Sequence, residues 1–245
     1  MIKVFVAIPK RAEISEAEFH AHWREPHARL ALHIKPMRRY VQAHRVPYSM
    51  AGWPSCPFDG FAEVWLDDLQ TALGLGQDPD YQHHLVPDEP KFCDVAGLQF
   101  IFTVEDVALE GPKFAREDTA FKLLQFVRRR NTVSSAAFRE QWARASAEKS
   151  LVHSLGAIRH VCCRVAPGTE SASGHGYDGI RELWWPSIAS FEAARTRKPL
   201  ACQRLLGCPT IADPAAMLLV PVEEYRVLWP ERPHKHLTPG PSATQ

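Results

Sequence analysis

The segment Phe19-His-Ala-His-Trp23-Arg-Glu-Pro26-His27 sets the architecture, because nearly the same segment, Phe138-Arg-Glu-Gln-Trp142-Ala-Arg-Ala-Ser146, returns later in the chain. The Phe and Trp recur four residues apart, on one side of a helix. Ser146 stands where His27 did. At the same separation Lys3 falls on Lys122, Ser15 on Ser134, Asp59-Gly60 on Asp178-Gly179, Glu63 on Glu182, Trp65 on Trp184 and Asp94 on Asp213. About 19 of roughly 108 positions agree without a gap, which implies a tandem duplication. Copies of that length are domains rather than turns of a solenoid.

Within the first copy, Ile2, Val4, Val6 and Ile8 alternate with Lys3, Phe5 and Ala7, the period of a strand. Ser15 and Glu18 form a capping box, and Ile14 with Phe19 a hydrophobic staple, so a helix starts at Ser15. Pro26 interrupts its hydrogen bonds and predicts a kink, with His27 just beyond the bend. Arg39 to Val46 reads as a second strand with Tyr40, Gln42 and His44 on one face, and Phe58 to Leu66 as a third with Phe61, Glu63 and Trp65 together. A helical region broken by Gly74, Gly76 and Pro79 leads to a fourth strand at Leu98 to Val104. The order is β-α-β-β-α-β, the ferredoxin-like plan of an antiparallel sheet with both helices on one face.

The second copy repeats the plan, with Pro221 placing its last strand at an edge or bulge. The α+β fold class follows: two tandem ferredoxin-like repeats packed sheet to sheet as an intramolecular two-fold barrel. The expected divisions are 1–110, a Gly-Pro-containing linker at 111–118, 119–230, and a disordered Pro- and His-rich tail at 231–245.

Forty-five per cent hydrophobic and 23% charged residues suit a globular protein, and a formal net charge of +1 argues against nucleic acid or an anionic membrane as partner. No stretch has the ~18 to 20 apolar residues of a membrane span, and Lys3 interrupts any signal-like N-terminus, so the cytoplasm is the expected compartment. The six cysteines lack paired CxxC spacing, which points to reduced, buried thiols and no metal site.

Phe-x-x-x-Trp-x-x-x-His on the first helix, Asp-Gly-x-x-Glu-x-Trp on the third strand and Phe92-x-Asp94 before the last resemble the EthD-like family of the dimeric α+β barrel superfamily. That resemblance covers 2–109 well and 121–228 more faintly. It implies a small cavity between sheet and helices, without metal or organic cofactor, used by decarboxylases, dehydratases, lactone isomerases and monooxygenases on cyclic or aromatic carbonyl compounds.

The candidate catalytic residues are His27, Tyr40, His44 and Glu63, with Trp23, Phe61, Trp65 and His84 lining a substrate pocket. A histidine titrates near working pH and suits proton abstraction. Tyr40 would steady an enolate oxygen and Glu63 would orient an imidazole, provided their strand faces lie beneath the first helix. Glu182, Trp142 and Trp184 persist in the copy that lacks the histidine, so Glu63, Trp23 and Trp65 also fit a structural role shared by both copies. His20 and His22 diverge on their helix and are expected in solvent. One functional pocket, in the first copy, is expected.

The expected function is cofactor-free acid–base catalysis of isomerase, dehydratase or decarboxylase type on a small cyclic or aromatic carbonyl or acid compound. The alternatives are a cofactor-free monooxygenase or oxidoreductase, and a non-catalytic accessory protein holding a metabolite for an oxidation system. The expected partner is a small-molecule substrate, with further homodimerisation possible through exposed sheet edges.

Overall fold

The computed structural model describes residues 1–48, 53–112, 120–146, 148–169, 176–208 and 210–229. The expected tail at 231–245, and all but the first two residues of the expected linker, lie outside them.

The chain runs β1 (Ile2–Ile8), α1 (Glu16–His22), a π-helical turn (Trp23–His27), α2 (Ala28–Ala31), β2 (Arg39–Arg45), β3 (Gly60–Leu66), α3 (Leu69–Gly74), α4 (Pro79–His84) and β4 (Gln99–Leu109). It continues with β5 (Phe121–Val127), α5 (Ser135–Ser146), α6 (Lys149–Ser154), β6 (Arg159–Val165), β7 (Gly179–Trp185), α7 (Ile188–Arg197), α8 (Pro199–Gly207) and β8 (Leu218–Leu228). The eight strands form one closed antiparallel barrel in the order β1-β3-β2-β8-β5-β7-β6-β4. Two compact units share the chain: Met1–His44 with Pro57–Phe102 and the segment from Glu224, and Arg45–Cys56 with Thr103–Glu223.

In the first unit α1 begins as its sequence requires. The Ser15 hydroxyl accepts from the Glu18 amide while the Glu18 carboxylate accepts from the Ser15 amide at 2.8 Å. Pro26 does not break the helix sharply. The turn from Trp23 to His27 widens to π geometry with Pro26 inside it, so the helix absorbs a residue with no N–H to give. His27 therefore lies within the helix, buried, rather than beyond a kink.

Strand β3 pairs with both neighbours, placing Glu63 opposite Phe5 and Val41, and Val64 opposite Val4 and Tyr40. Alternation then settles the faces: Tyr40, Gln42 and His44 share one, and Glu63 with Phe61 and Trp65 the other. On the first face a side chain at Gly60 would sit 2.3 Å from the Trp23 ring, so glycine is what lets the indole lie flat on β3.

The second unit repeats these devices. Asp178 accepts from the Arg129 amide as Asp59 does from that of Lys10, and Trp142 packs on Gly179. Strand β6 is one residue out of step with β2 under the offset that fits the other strands: Val161 faces Glu182 as Val41 faces Glu63. His160 is thus the counterpart of Tyr40. Pro221 departs from expectation, pairing with Leu123 in the body of the β5–β8 ladder rather than at an edge. Its carbonyl accepts from Val46, one residue past the end of β2, so the missing N–H costs a single ladder bond.

Candidate active site

The face of β2 beneath α1 carries a connected polar row. The Trp23 indole donates to the Tyr40 hydroxyl at 3.0 Å, and Gln42 donates to the same oxygen at 3.2 Å and to the Trp23 carbonyl at 2.6 Å. Gln42 thereby satisfies a carbonyl within the widened turn. Its own amide oxygen lies 3.0 Å from His44 Nε2, and His44 Nδ1 lies 2.8 Å from His20 Nδ1. Burial, then the charges of Arg24 and His20, push the His44 pKa well down, so its imidazole is neutral. Burial likewise raises the Tyr40 phenol against the two donors that lower it.

His27 belongs to a different group. Its Nδ1 lies 3.0 Å from Asp88 Oδ2, with His22 Nε2 3.1 Å from the same carboxylate and Lys91 3.2 Å away. Phe92 fixes both rings, stacked on His22 and edge-on to His27. Burial alone would raise the Asp88 pKa, but the hydrogen bond and charge of His27, with Lys91 and His22, bring it down to about 2. A carboxylate only accepts, so Nδ1 of His27 carries the proton and Nε2 is the basic nitrogen.

Next along the chain, Glu89 accepts a short hydrogen bond from the Tyr81 hydroxyl. Burial raises its carboxyl against Tyr81 and the charge of His27, which lower it. Glu89 also lines a pocket of about 690 Å³ with Lys10, Arg11, Val86 and Cys93. A carboxyl shifted upward in a pocket wall, within electrostatic reach of a histidine–carboxylate pair, is an arrangement suited to moving protons.

The expected residues therefore divide. His27 stands with Asp88; Tyr40, His44 and Trp23 form the row under α1. Glu63 is separated from all of them on the opposite face, paired with Lys3 at 2.8 Å, both buried, so it orients no imidazole of this cluster. Trp65 packs over the Lys3 ammonium, and Phe61 against Phe58. His84 stacks on His33, with burial the main cause of its lowered pKa. His20 and His22, expected in solvent, are half-buried and bonded to His44 and Asp88. Asp88, Glu89 and Tyr81 were not anticipated.

Residues 11–96 match the EthD domain. The EthD segment holds the whole His27, Asp88 and Glu89 group and the whole row under α1. No curated protein matches the chain. Among solved structures, an anthrone oxidase-like protein matches with a TM-score of 0.63 at 9% identity over 92% of both chains. A mutant chlorite dismutase from Candidatus Nitrospira defluvii matches with 0.51 at 10% identity over 90% of both. A variant of DypB from Rhodococcus jostii RHA1 in complex with heme matches with 0.50 at 12% identity over 91% of this chain and 92% of that one. The fold is the ferredoxin-like dimeric α+β barrel.

These matches correct the expectation of strictly cofactor-free lyase or isomerase chemistry, since the relatives carry the names of oxidoreductases and one holds heme. The second unit adds a donor set that spacing did not show: ligand atoms of Glu105, Cys163 and Glu182, from three adjacent strands, lie within 4.8 Å of one another. Two carboxylates and a thiol can ligate a divalent ion. Lys122 pairs with Glu182 Oε2 at 2.6 Å, which leaves Oε1, 3.5 Å from the Cys163 sulfur, facing the set. For a heme, the space under α1 is filled by Trp23, Phe19 and the polar row, and a pocket of about 630 Å³ under α5, α6 and α8 has no histidine on its wall. No helix among the described residues is long and apolar enough to cross a membrane.

Proposed function

We propose that the chain is an oxidoreductase that oxidises a small cyclic or aromatic carbonyl compound with dioxygen, using His27 as general base. The observation that carries this reading is the buried hydrogen bond between His27 Nδ1 and Asp88, which holds the imidazole in the tautomer whose Nε2 can take a proton. The names of the fold relatives favour oxidation over isomerisation or elimination.

In this mechanism a CH₂ activated by a neighbouring carbonyl loses a proton to His27, and Asp88 steadies the imidazolium. The carbanion reduces dioxygen and forms a C–O bond, giving a peroxide anion that recovers the proton from His27. Loss of the second C–H hydrogen with the distal OH as water leaves a new carbonyl, so CH₂ and O₂ become C=O and H₂O. Glu89, its carboxyl raised by burial, is placed to relay protons for the water-forming step. Asp88 acts through His27 and is a positioning residue.

We also read the chain as a tandem duplication with the chemistry in 1–110. His27, Tyr81, Asp88 and Glu89 are answered by Ser146, Leu200, Gly207 and Cys208 at the constant offset, while the Lys–Glu ion pairs and Trp–Gly contacts recur. An oxygen electrode and mass spectrometry test the function. Adding anthrone, a cyclic ketone with an acidic CH₂, should consume one O₂ per new carbonyl, and His27→Ala should slow this about 10²- to 10⁴-fold. If a panel of such ketones is bound but recovered unchanged, with no oxygen uptake, the protein is the accessory binder instead.

A further inference from the structure

The second unit buries a guanidinium that no carboxylate among the described residues neutralises. Arg181, on β7, stands opposite Gln125 and Cys162 on the neighbouring strands and is 1% exposed. Its Nη1 donates to the Gln125 amide oxygen at 3.1 Å and to the Leu205 carbonyl, with the Cys208 sulfur at 3.4 Å. The Trp142 ring lies 4.8 Å from Cζ. Nε is buried with no partner at all, and among the described residues no acid pairs with the group. An arginine stays charged, and an uncompensated buried charge is costly enough that structures keep it for a purpose.

Arg181 closes the inner end of a pocket of about 630 Å³ under α5, α6 and α8. The rim cations are already engaged, Arg144 with Glu140 at 2.5 Å and Arg204 with Glu148 at 2.8 Å. Leu151, Leu205 and Ile211 supply apolar wall. One unneutralised cation in a pocket with a partly apolar wall and a rim of paired charges suits an anion of one charge with an apolar body. A phosphate would bring two charges to one cation and meet the rim glutamates.

We propose that this pocket binds a small organic carboxylate, held by Arg181, independently of the His27 site. Arg181 Nε is a buried donor whose hydrogen bond is unmade, and a carboxylate reaching it from the pocket would satisfy it. In the first unit Ala62 stands at the position of Arg181 and Val6 at that of Gln125, so the two halves differ in what they can hold.

Isothermal titration calorimetry on the full chain tests this, with sodium benzoate and its neutral analogue benzamide as probes. Benzoate should bind with one site per chain and benzamide about tenfold or more weakly, the difference expected of a charge-assisted contact. Arg181→Gln should remove that preference, and His27→Ala should leave benzoate affinity unchanged. If Arg181→Gln does not fold, Leu151→Trp fills the pocket from the partly exposed α6 with Arg181 intact, and should abolish binding. Equal binding of the two probes, no binding of benzoate, or benzoate affinity that survives Leu151→Trp overturns the proposal; loss on His27→Ala would move the site to the first unit.

Discussion

At the scale of single residues, a histidine in the first helix and one on the strand beneath it do opposite things. His27 is held by a carboxylate, whereas His44 is held by an amide and another imidazole and is kept neutral by burial. The unfolded chain takes a proton on His44 near pH 6.5 that the folded chain refuses. Stability is therefore full above about pH 6.5 and falls as pH drops below it, levelling only when the folded imidazole itself titrates. His160, lowered to about 3 by burial and the charge of Arg181, acts in the same sense in the second unit. Urea denaturation at pH 7, 6 and 5 should show this slope, and His44→Gln should reduce it by up to about 1.4 kcal/mol per pH unit, one proton's worth. An unchanged slope would mean that His44 is protonated when folded. His27 stands out in the sequence because a serine, Ser146, occupies the matching position. Asp88, Glu89 and Tyr81 differ between the halves in the same way, so the same comparison contained them. They were missed because they sit on a broken helical region whose return to α1 has no periodic signature.

At the scale of elements, local chemistry was legible wherever neighbours in the chain act on one another. The α1 cap is such a case: Ser15→Ala should cost about 1 kcal/mol in chemical denaturation, and Ser134→Ala less, because Ala137 stands where Glu18 completes the box. Similar losses at both positions would show that the reciprocal bond from Glu18 adds nothing. The proline in the same helix was legible as a disturbance but not as a form. Whether Pro26 kinks the helix or widens it depends on what receives the disturbed carbonyls, and the receiver at Trp23 is Gln42, from a strand sixteen residues beyond the proline. Strand faces followed the same rule. Alternation grouped Tyr40 with His44 and Phe61 with Glu63, but which face met the helix was set by pairing across β3.

At the scale of the whole molecule, the Lys3–Glu63 and Lys122–Glu182 pairs are the most heavily buried charges that the two units share. Glu63→Gln should destabilise the protein by about 3 kcal/mol in urea denaturation, because it strands an ammonium away from water. A variant that keeps its stability but loses turnover would return Glu63 to the catalytic residues. By itself the sequence determined the element order, the helix cap and the match of Phe19 and Trp23 to Phe138 and Trp142 with serine where His27 stands. All of these come from short-range periodicity or from comparing the chain with itself. Only the tertiary structure decided that His27 meets Asp88, that Glu63 faces away from both, and that Arg181 lies buried with no acid beside it among the described residues. Each of those pairs or absences joins residues tens of positions apart, and their distances are fixed by strand register and helix packing, which no local spacing encodes.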